Sequence, residues 1–444
     1  MSPSLKVSIT TFGCQMNDYD SQVAAGLLKH KGFQLTEDGE QADVVLMNTC
    51  SVREHAEDRV FSRLGMLAKA KKTNPHLVVG LMGCMVEEHR EKLFKRFPAL
   101  DLMVGTRNIK ELPSLIEEVR KTRVQAARIK QDGISIEYTD LIHRTSRFHA
   151  WLPIMTGCDK VCTFCIVPIT RGAEVSMHAR EVYREASRLV GEGVKWITLL
   201  GQNVNSYKGS DPKRGLTPFA FPELLETLCQ IDGLERISFT TSHPSDATEE
   251  LFQVIRRNPK ISRRFHLPLQ SGSDRILKRM KRLHTYADYK AKIDRLRELV
   301  PNISVTTDII AGFPGETEEA YDATRCALEE IRYDGAYIFK YSVRPGTPAA
   351  KLPDDVPLAV KEERNRELLD LQKRISLEKN REWLGRTVEV FVEDQSAKYR
   401  GQLLGRTVQE KKVAFDGPSE FIGTFRQMTL QDMRDETFLG RMKG

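Results

Sequence analysis

The chain has 444 residues, of which 40% are hydrophobic and 29% charged, with a formal net charge of +7. These values exclude a disordered or collagen-like chain and describe a globular protein of two to four domains with ample buried core; no apolar stretch approaches the length of a membrane span. The start, Met1 to Lys6, carries no apolar signal region, and the 8 cysteines point to reduced thiols that serve as ligands, so a cytoplasmic location is expected.

The first ~125 residues alternate between two patterns. Residues 6–12, 42–48 and 76–82 are short β-branched and apolar runs, and the segments between them carry helical spacing, as at Val23, Leu27 and Leu28. That alternation predicts a parallel α/β sheet. Cys14, Cys50 and Cys84 each fall just past one of these strands, within Gly13-Cys14-Gln15-Met16-Asn17, Asn48-Thr49-Cys50-Ser51 and Met82-Gly83-Cys84-Met85. Parallel strands end at one edge, where open α/β sheets place their ligands, so three thiols distant in sequence are predicted to meet there as a metal site. A single cysteine at a strand end would read as a small buried hydrophobe.

A helical run over residues 114–123 precedes a basic, weakly periodic stretch, 128–147, whose Asp132-Gly133 suits a turn in a domain connection. A strand and helix rhythm then recurs. Strands are predicted at 152–156, 196–200, 236–241, 264–269, 304–310 and 336–341, with helices at 180–192, 222–230, 248–256, 286–299 and 317–331. Six such units imply a full or partial α/β barrel, whose working groups gather at the C-terminal strand ends. Polar or glycine-containing runs fall there: Gly201-Gln202-Asn203, Ser242-His243, Gln270-Ser271-Gly272 and Gly312-Phe313-Pro314-Gly315. The last also reads as a plain turn before a helix start, and His243, before Pro244, reads equally as a turn residue or a proton carrier.

Directly after Trp151 to Met155 stand Cys158, Cys162 and Cys165 in Cys-x-x-x-Cys-x-x-Cys spacing. A structural zinc site would close four ligands, commonly as paired Cys-x-x-Cys, and the nearest further ligand is His178, beyond Pro168 and Arg171-Gly172. An iron-sulfur cube held by only three protein sulfurs leaves one iron open, and an open position signals chemistry. Cys229 and Cys326 read as core positions of helices. Lys69 to Lys72, Arg120 to Arg123 and Lys278 to Arg282 are candidate phosphate contacts or solvated helix faces. In the tail, a charged helix over 358–383 gives way to short strands at 387–392, 399–404, 413–415 and 421–425, a small β-barrel pattern.

Ile154-Met155-Thr156-Gly157-Cys158 through Cys165-Ile166-Val167-Pro168, followed by Thr170-Arg171-Gly172, resembles the signature of the radical S-adenosylmethionine methylthiotransferases. Gly13 to Asn17 with Asp20-Ser21, Leu199 to Tyr207, His266 to Ser273 and Arg344 to Thr347 extend the resemblance nearly end to end. The Gln15-Met16-Asn17 and Gly201 to Tyr207 runs are most similar to the branch acting on dimethylallyl-adenosine of tRNA. Met177 and Ile169 depart from the pattern, where arginine and tyrosine are usual.

The resemblance implies an N-terminal methylthiotransferase domain over 1–125, a linker over 126–147, a radical SAM domain over 148–375 and an RNA-binding TRAM domain over 376–444. It implies transfer of a methylthio group to C2 of N6-dimethylallyladenosine at position 37, with two S-adenosylmethionine molecules and two 4Fe-4S clusters. One cluster, on Cys158, Cys162 and Cys165, would cleave the cofactor to a 5′-deoxyadenosyl radical; the other, on Cys14, Cys50 and Cys84, would carry the added sulfur. Phe164 would lie against the cofactor's adenine, with Gln202, Asn203, Gln270 and Ser271 as further contacts. No catalytic residue separate from the cluster ligands is implied. The expected partners are the tRNA anticodon loop and an electron donor such as a flavodoxin or ferredoxin; the expected oligomeric state is a monomer. The alternatives are a methylthiotransferase acting on threonylcarbamoyl-adenosine or on a ribosomal-protein aspartate, and a non-catalytic iron-sulfur relay or RNA-binding protein.

Overall fold

The computed structural model describes residues 4–51, 54–129, 140–211 and 218–443. Its N-terminal sheet has six parallel strands in the order Gln34–Leu35, Lys6–Phe12, Val44–Thr49, Val78–Gly83, Leu102–Val104 and Ala126–Arg128. Strand periodicity explains its two-sided burial. Val44 and Leu46 join Val78 and Met82 in one core cluster, while the alternating Val45 and Met47 join Val79 and Leu81 in another on the opposite face. Helices Gln15–His30 and Leu112–Thr122 cover the first face and Glu54–Thr73 the second.

One reading of this region changes. Residues 126–128, expected to open a linker, form the sixth strand, a run too short for periodicity to reveal. The predicted turn at Asp132-Gly133 lies outside the described residues.

The central domain is a partial barrel of six parallel strands split into two sheets. His149–Pro153, Trp196–Leu200 and Arg236–Thr240 make one, and Arg264–His266, Ser304–Ala311 and Gly335–Lys340 the other. A parallel bridge from Ile237 to Ile261 links them, and no ladder joins the first strand to the sixth among the described residues. Met155–Thr156, predicted to continue the first strand, instead pairs antiparallel with Val175–Ser176. Trp151 and Leu200 pack into the N-terminal domain's core, so the two domains share apolar surface. Among the described residues no helix is long and apolar enough to cross a membrane.

Helix Leu358–Arg381 leads to a closed five-stranded barrel built from Thr387–Gln395, Leu403–Thr407, Lys412–Phe415, Phe425–Arg434 and Thr437–Met442. The predicted strands at 399–404 and 421–425 are shifted because Gly401 (φ 85°) and Gly423 (φ 80°) make turns, and the last strand went unread. This barrel docks on the floor of the central one. Glu410, its side chain 12% exposed, accepts from Ser238 at 2.7 Å and Ser262 at 2.8 Å and pairs with Arg264 at 3.2 Å.

Candidate functional site

Sheet register brings Cys14, Cys50 and Cys84 together. Phe12 stands opposite Thr49, and Thr49 opposite Gly83, so the residues that follow each strand emerge side by side. Cys14 caps helix Gln15–His30 and Cys84 begins helix Cys84–His89. Two buried asparagines fasten these loops: Asn17 donates to Asn48 at 2.9 Å, and Asn48 returns a hydrogen bond to the Asn17 carbonyl at 2.8 Å. The approach leaves no room at Gly13, whose Cβ would stand 2.5 Å from Asn17 Oδ1 and 2.9 Å from Cys50 Cβ. A hydrogen bond from Cys50 draws the Cys14 thiol down to about 6, while burial pushes the Cys84 thiol up against the pull of Arg171.

The second triad sits on the loop after Met155–Thr156. Gly157 donates to Gln202 Oε1 at 2.6 Å, Cys158 N to the Gly172 carbonyl at 3.1 Å, and Thr163 N to the Met280 carbonyl at 3.0 Å. Gly157 (φ 75°) is required there, since a Cβ would meet the Ala173 carbonyl at 1.9 Å. Burial raises the Cys158 thiol to about 11 and the Cys165 thiol to about 12, and the neighbouring cysteines add to it. Such thiols stay protonated until something cationic replaces the proton.

No disulfide joins any of the cysteines, all of which are described. Among the described residues, only Glu57, Glu88 and His89 place three ligand atoms within 4.8 Å of one another, and Arg344 already pairs with Glu57. Neither cysteine triad is therefore as tight as a single tetrahedral zinc ion, with Zn–S of about 2.3 Å, demands. His178, the one further ligand considered for zinc, is exposed and bonds Ser210 instead.

One cavity of about 460 Å³ lies between the domains. Phe164, Cys165, Ile166 and Gln270 line it from the barrel; Thr11, Phe12, Gly13, Ser51 and Arg59 line it from the N-terminal domain. Phe164 meets Phe313 edge-on at 6.5 Å. Gln270 holds a left-handed φ of 75° and donates its backbone N–H to the Asp308 carbonyl at 2.8 Å. The other predicted contacts stand behind this lining. Gln202 anchors Gly157, Asn203 donates to Asp246 at 2.7 Å, and Ser271 is fully buried against Thr324 and the Ser273 amide.

Several readings from sequence alone are corrected. Arg282, predicted as a phosphate contact, is 4% exposed and donates to Cys162 Sγ at 3.3 Å. Lys71 is held by Asp101. Cys326 is exposed, because the inward stripe of helix Glu318–Ile331 runs through Ala320, Tyr321, Thr324, Ala327 and Leu328. Of the two readings of His243 the turn residue holds: its Nδ1 accepts from Ser245 N at 3.2 Å at the start of Pro244–Asp246, burial and then Arg282 push the imidazole down to about 2, and Nε2 lies 4.0 Å from Cys162 Sγ. The cross-domain ion pairs Arg171–Asp20 and Arg344–Glu57 were missed; only the Thr170-Arg171-Gly172 and Arg344 to Thr347 runs hinted at them.

Three family models match in succession: Uncharacterized protein family UPF0004 over residues 6–105, the Radical SAM superfamily over 152–325 and the TRAM domain over 381–443. The chain is 44% identical over 433 residues to a tRNA-2-methylthio-N(6)-dimethylallyladenosine synthase of Pelotomaculum thermopropionicum, spanning 97% of this chain and 96% of that one. It is 43% identical over 430 residues to the synthase of the same description from Dictyoglomus thermophilum, covering 97% and 96%, and 42% identical over 441 residues to that of Aeromonas hydrophila, covering 99% and 92%. Among solved structures, the radical S-adenosylmethionine methyltransferase TsrM from Kitasatospora setae aligns with a TM-score of 0.54 at 14% identity, covering 78% of this chain and 74% of that one. That is a likeness of fold alone.

Proposed function

The chain belongs to the tRNA-2-methylthio-N6-dimethylallyladenosine synthase family of radical S-adenosylmethionine enzymes, and we propose that it adds a methylthio group to C2 of N6-dimethylallyladenosine in tRNA. The nucleoside is the one at position 37, beside the anticodon, and the cofactors are S-adenosylmethionine and two 4Fe-4S clusters. A single-stranded loop base can be turned out into a pocket at an unstacking cost of a few kcal/mol.

The donor sets fit these groups. Each triad offers three soft, buried or half-buried thiols, too widely set for one small ion. Cys158, Cys162 and Cys165 would hold one cluster, and Cys14, Cys50 and Cys84 the other. When bound, these clusters supply the reducing electron for cofactor cleavage and a seat for the transferred sulfur.

The rest falls to the chain's own side chains. Phe164 offers an aromatic face for an adenine and Gln270 a polar group beside it. Gln202, through Gly157, fixes the loop that carries the barrel triad. The strand-end residues Thr11, Phe12 and Gly13 roof the cavity and keep water from a reactive intermediate. An electron donor such as a flavodoxin or ferredoxin completes the reaction, which we assign to the cytoplasm.

The carrying observation is the shared cavity: Cys165 lines it from one side, and Gly13 and Ser51, the neighbours of Cys14 and Cys50, from the other. The test is incubation of anaerobically reconstituted protein with S-adenosylmethionine, a reductant and undermodified tRNA, followed by nucleoside mass spectrometry. Methylthio-dimethylallyladenosine is the expected product. Its absence together with that of 5′-deoxyadenosine overturns the reading.

A further inference from the structure

Each cysteine triad has one buried arginine beside it, and the two arginines differ in their partners. Arg282 Nη1 donates to Cys162 Sγ at 3.3 Å and Nη2 to the Pro268 carbonyl at 2.8 Å, while Nε has no partner. Among the described residues no carboxylate pairs with it. Its neighbours Lys281 and Leu283 both take left-handed backbone angles, φ 54° and 57°, which turn Arg282 inward at a conformational cost.

Arg171 is 6% exposed and belongs to the barrel domain, yet its guanidinium serves the other domain's triad. It donates to Asp20 Oδ2 at 2.7 Å, on the helix that Cys14 caps, and its charge pulls the pKa of the Cys84 and Cys14 thiols down. The next residue, Gly172, accepts from Cys158 N at 3.1 Å. A single dipeptide thus holds the loop of one triad and sets its charge beside the other.

We propose that Arg282 and Arg171 are positioning residues that set the reduction potentials of the two clusters, one arginine to each, with the larger effect at Arg282. This rests on the assignment of the triads as cluster ligands. Adding one electron from an external donor makes a cluster more negative and breaks no bond. A fixed positive donor on a ligating sulfur stabilises that reduced form, and burial leaves little water to screen it. Asp20 offsets part of the charge of Arg171. Among the described residues no carboxylate offsets that of Arg282, so its removal shifts its cluster further.

The test uses the full-length chain with one triad changed to alanine, so that a single cluster is read by electron paramagnetic resonance during a redox titration. In the chain that keeps Cys158, Cys162 and Cys165, Arg282→Gln lowers the midpoint potential, changing the reduced-to-oxidised ratio at a fixed applied potential by about tenfold. Arg171→Gln leaves that cluster where it was. In the chain that keeps Cys14, Cys50 and Cys84 the pattern reverses, with a smaller shift. Arg282→Lys and Arg171→Lys, which keep the charge, recover at least half of each shift; they carry the test if a glutamine variant fails to assemble. Clusters present at normal iron content with unchanged potentials, or both potentials moving together, overturn the arginine assignment alone. Absence of any cluster from both single-triad chains overturns the triad assignment as well.

Discussion

Arg344 Nη1 lies 2.5 Å from Glu57 Oε2, joining the last strand-end loop of the barrel to a helix of the N-terminal domain through side chains only 9% and 10% exposed. His89 Nε2 approaches the other oxygen of Glu57 at 3.1 Å. Burial pushes the Glu57 carboxyl up, but the hydrogen bond from His89 and the charge of Arg344 outweigh it and hold the group below its ordinary 4.5. Arg344 also lines the cavity. The pair therefore ties closure of the site to docking of the domains.

Breaking it strips a buried carboxylate of its arginine and leaves it only the His89 contact. Arg344→Met is expected to destabilise the chain by ~3–5 kcal/mol, read by denaturant unfolding. A carboxyl with a lowered native pKa contributes stability above the unfolded value and loses it as pH falls through the native one. Wild-type stability will thus fall below pH 4.5 more steeply than that of Glu57→Gln.

Gly13→Ala tests the close approach of the loops that carry Cys14 and Cys50. The added methyl has no space beside Asn17 and Cys50, so the N-terminal cluster is expected to be lost while the barrel cluster assembles. Iron content will fall by about half, with 5′-deoxyadenosine formation retained.

Alanine at Cys14, Cys50 or Cys84 is expected to leave cofactor cleavage largely intact and stop sulfur transfer. The same change at Cys158, Cys162 or Cys165 is expected to abolish both. Quantifying 5′-deoxyadenosine and the modified nucleoside separates the two outcomes, and equal behaviour of the sets would remove the division of labour.

Phe164→Ala removes an aromatic face from the cavity wall. The apparent KM for S-adenosylmethionine is expected to rise by roughly 3- to 10-fold, as loss of one aromatic contact predicts, with little change in thermal stability.

What the sequence disclosed and what it hid follow from range. Trp196–Leu200 and Tyr286–Leu299 were read to the residue because alternation and helical spacing are local. The three strand-end cysteines were placed at one edge by topology, since parallel pairing needs no knowledge of side-chain contacts. Arg282 was misjudged for the opposite reason. In the run Lys278 to Arg282 it looks like its basic neighbours, and only the two left-handed residues around it send it inward. Arg171 finds Asp20 across 151 positions, a partnership no spacing encodes.

Glu410 carries a consequence for how shortened versions of this chain would behave. It fills the underside of the central barrel, where Ser238, Ser262 and Arg264 all turn toward it. Deleting the tail would strip those three groups of their common acceptor and flood the strand starts with solvent. A truncated enzyme that failed on tRNA would thus report damage to its catalytic scaffold as much as loss of a nucleic-acid grip, and the single substitution Glu410→Ala, which spares the tail, is the control that tells the two apart.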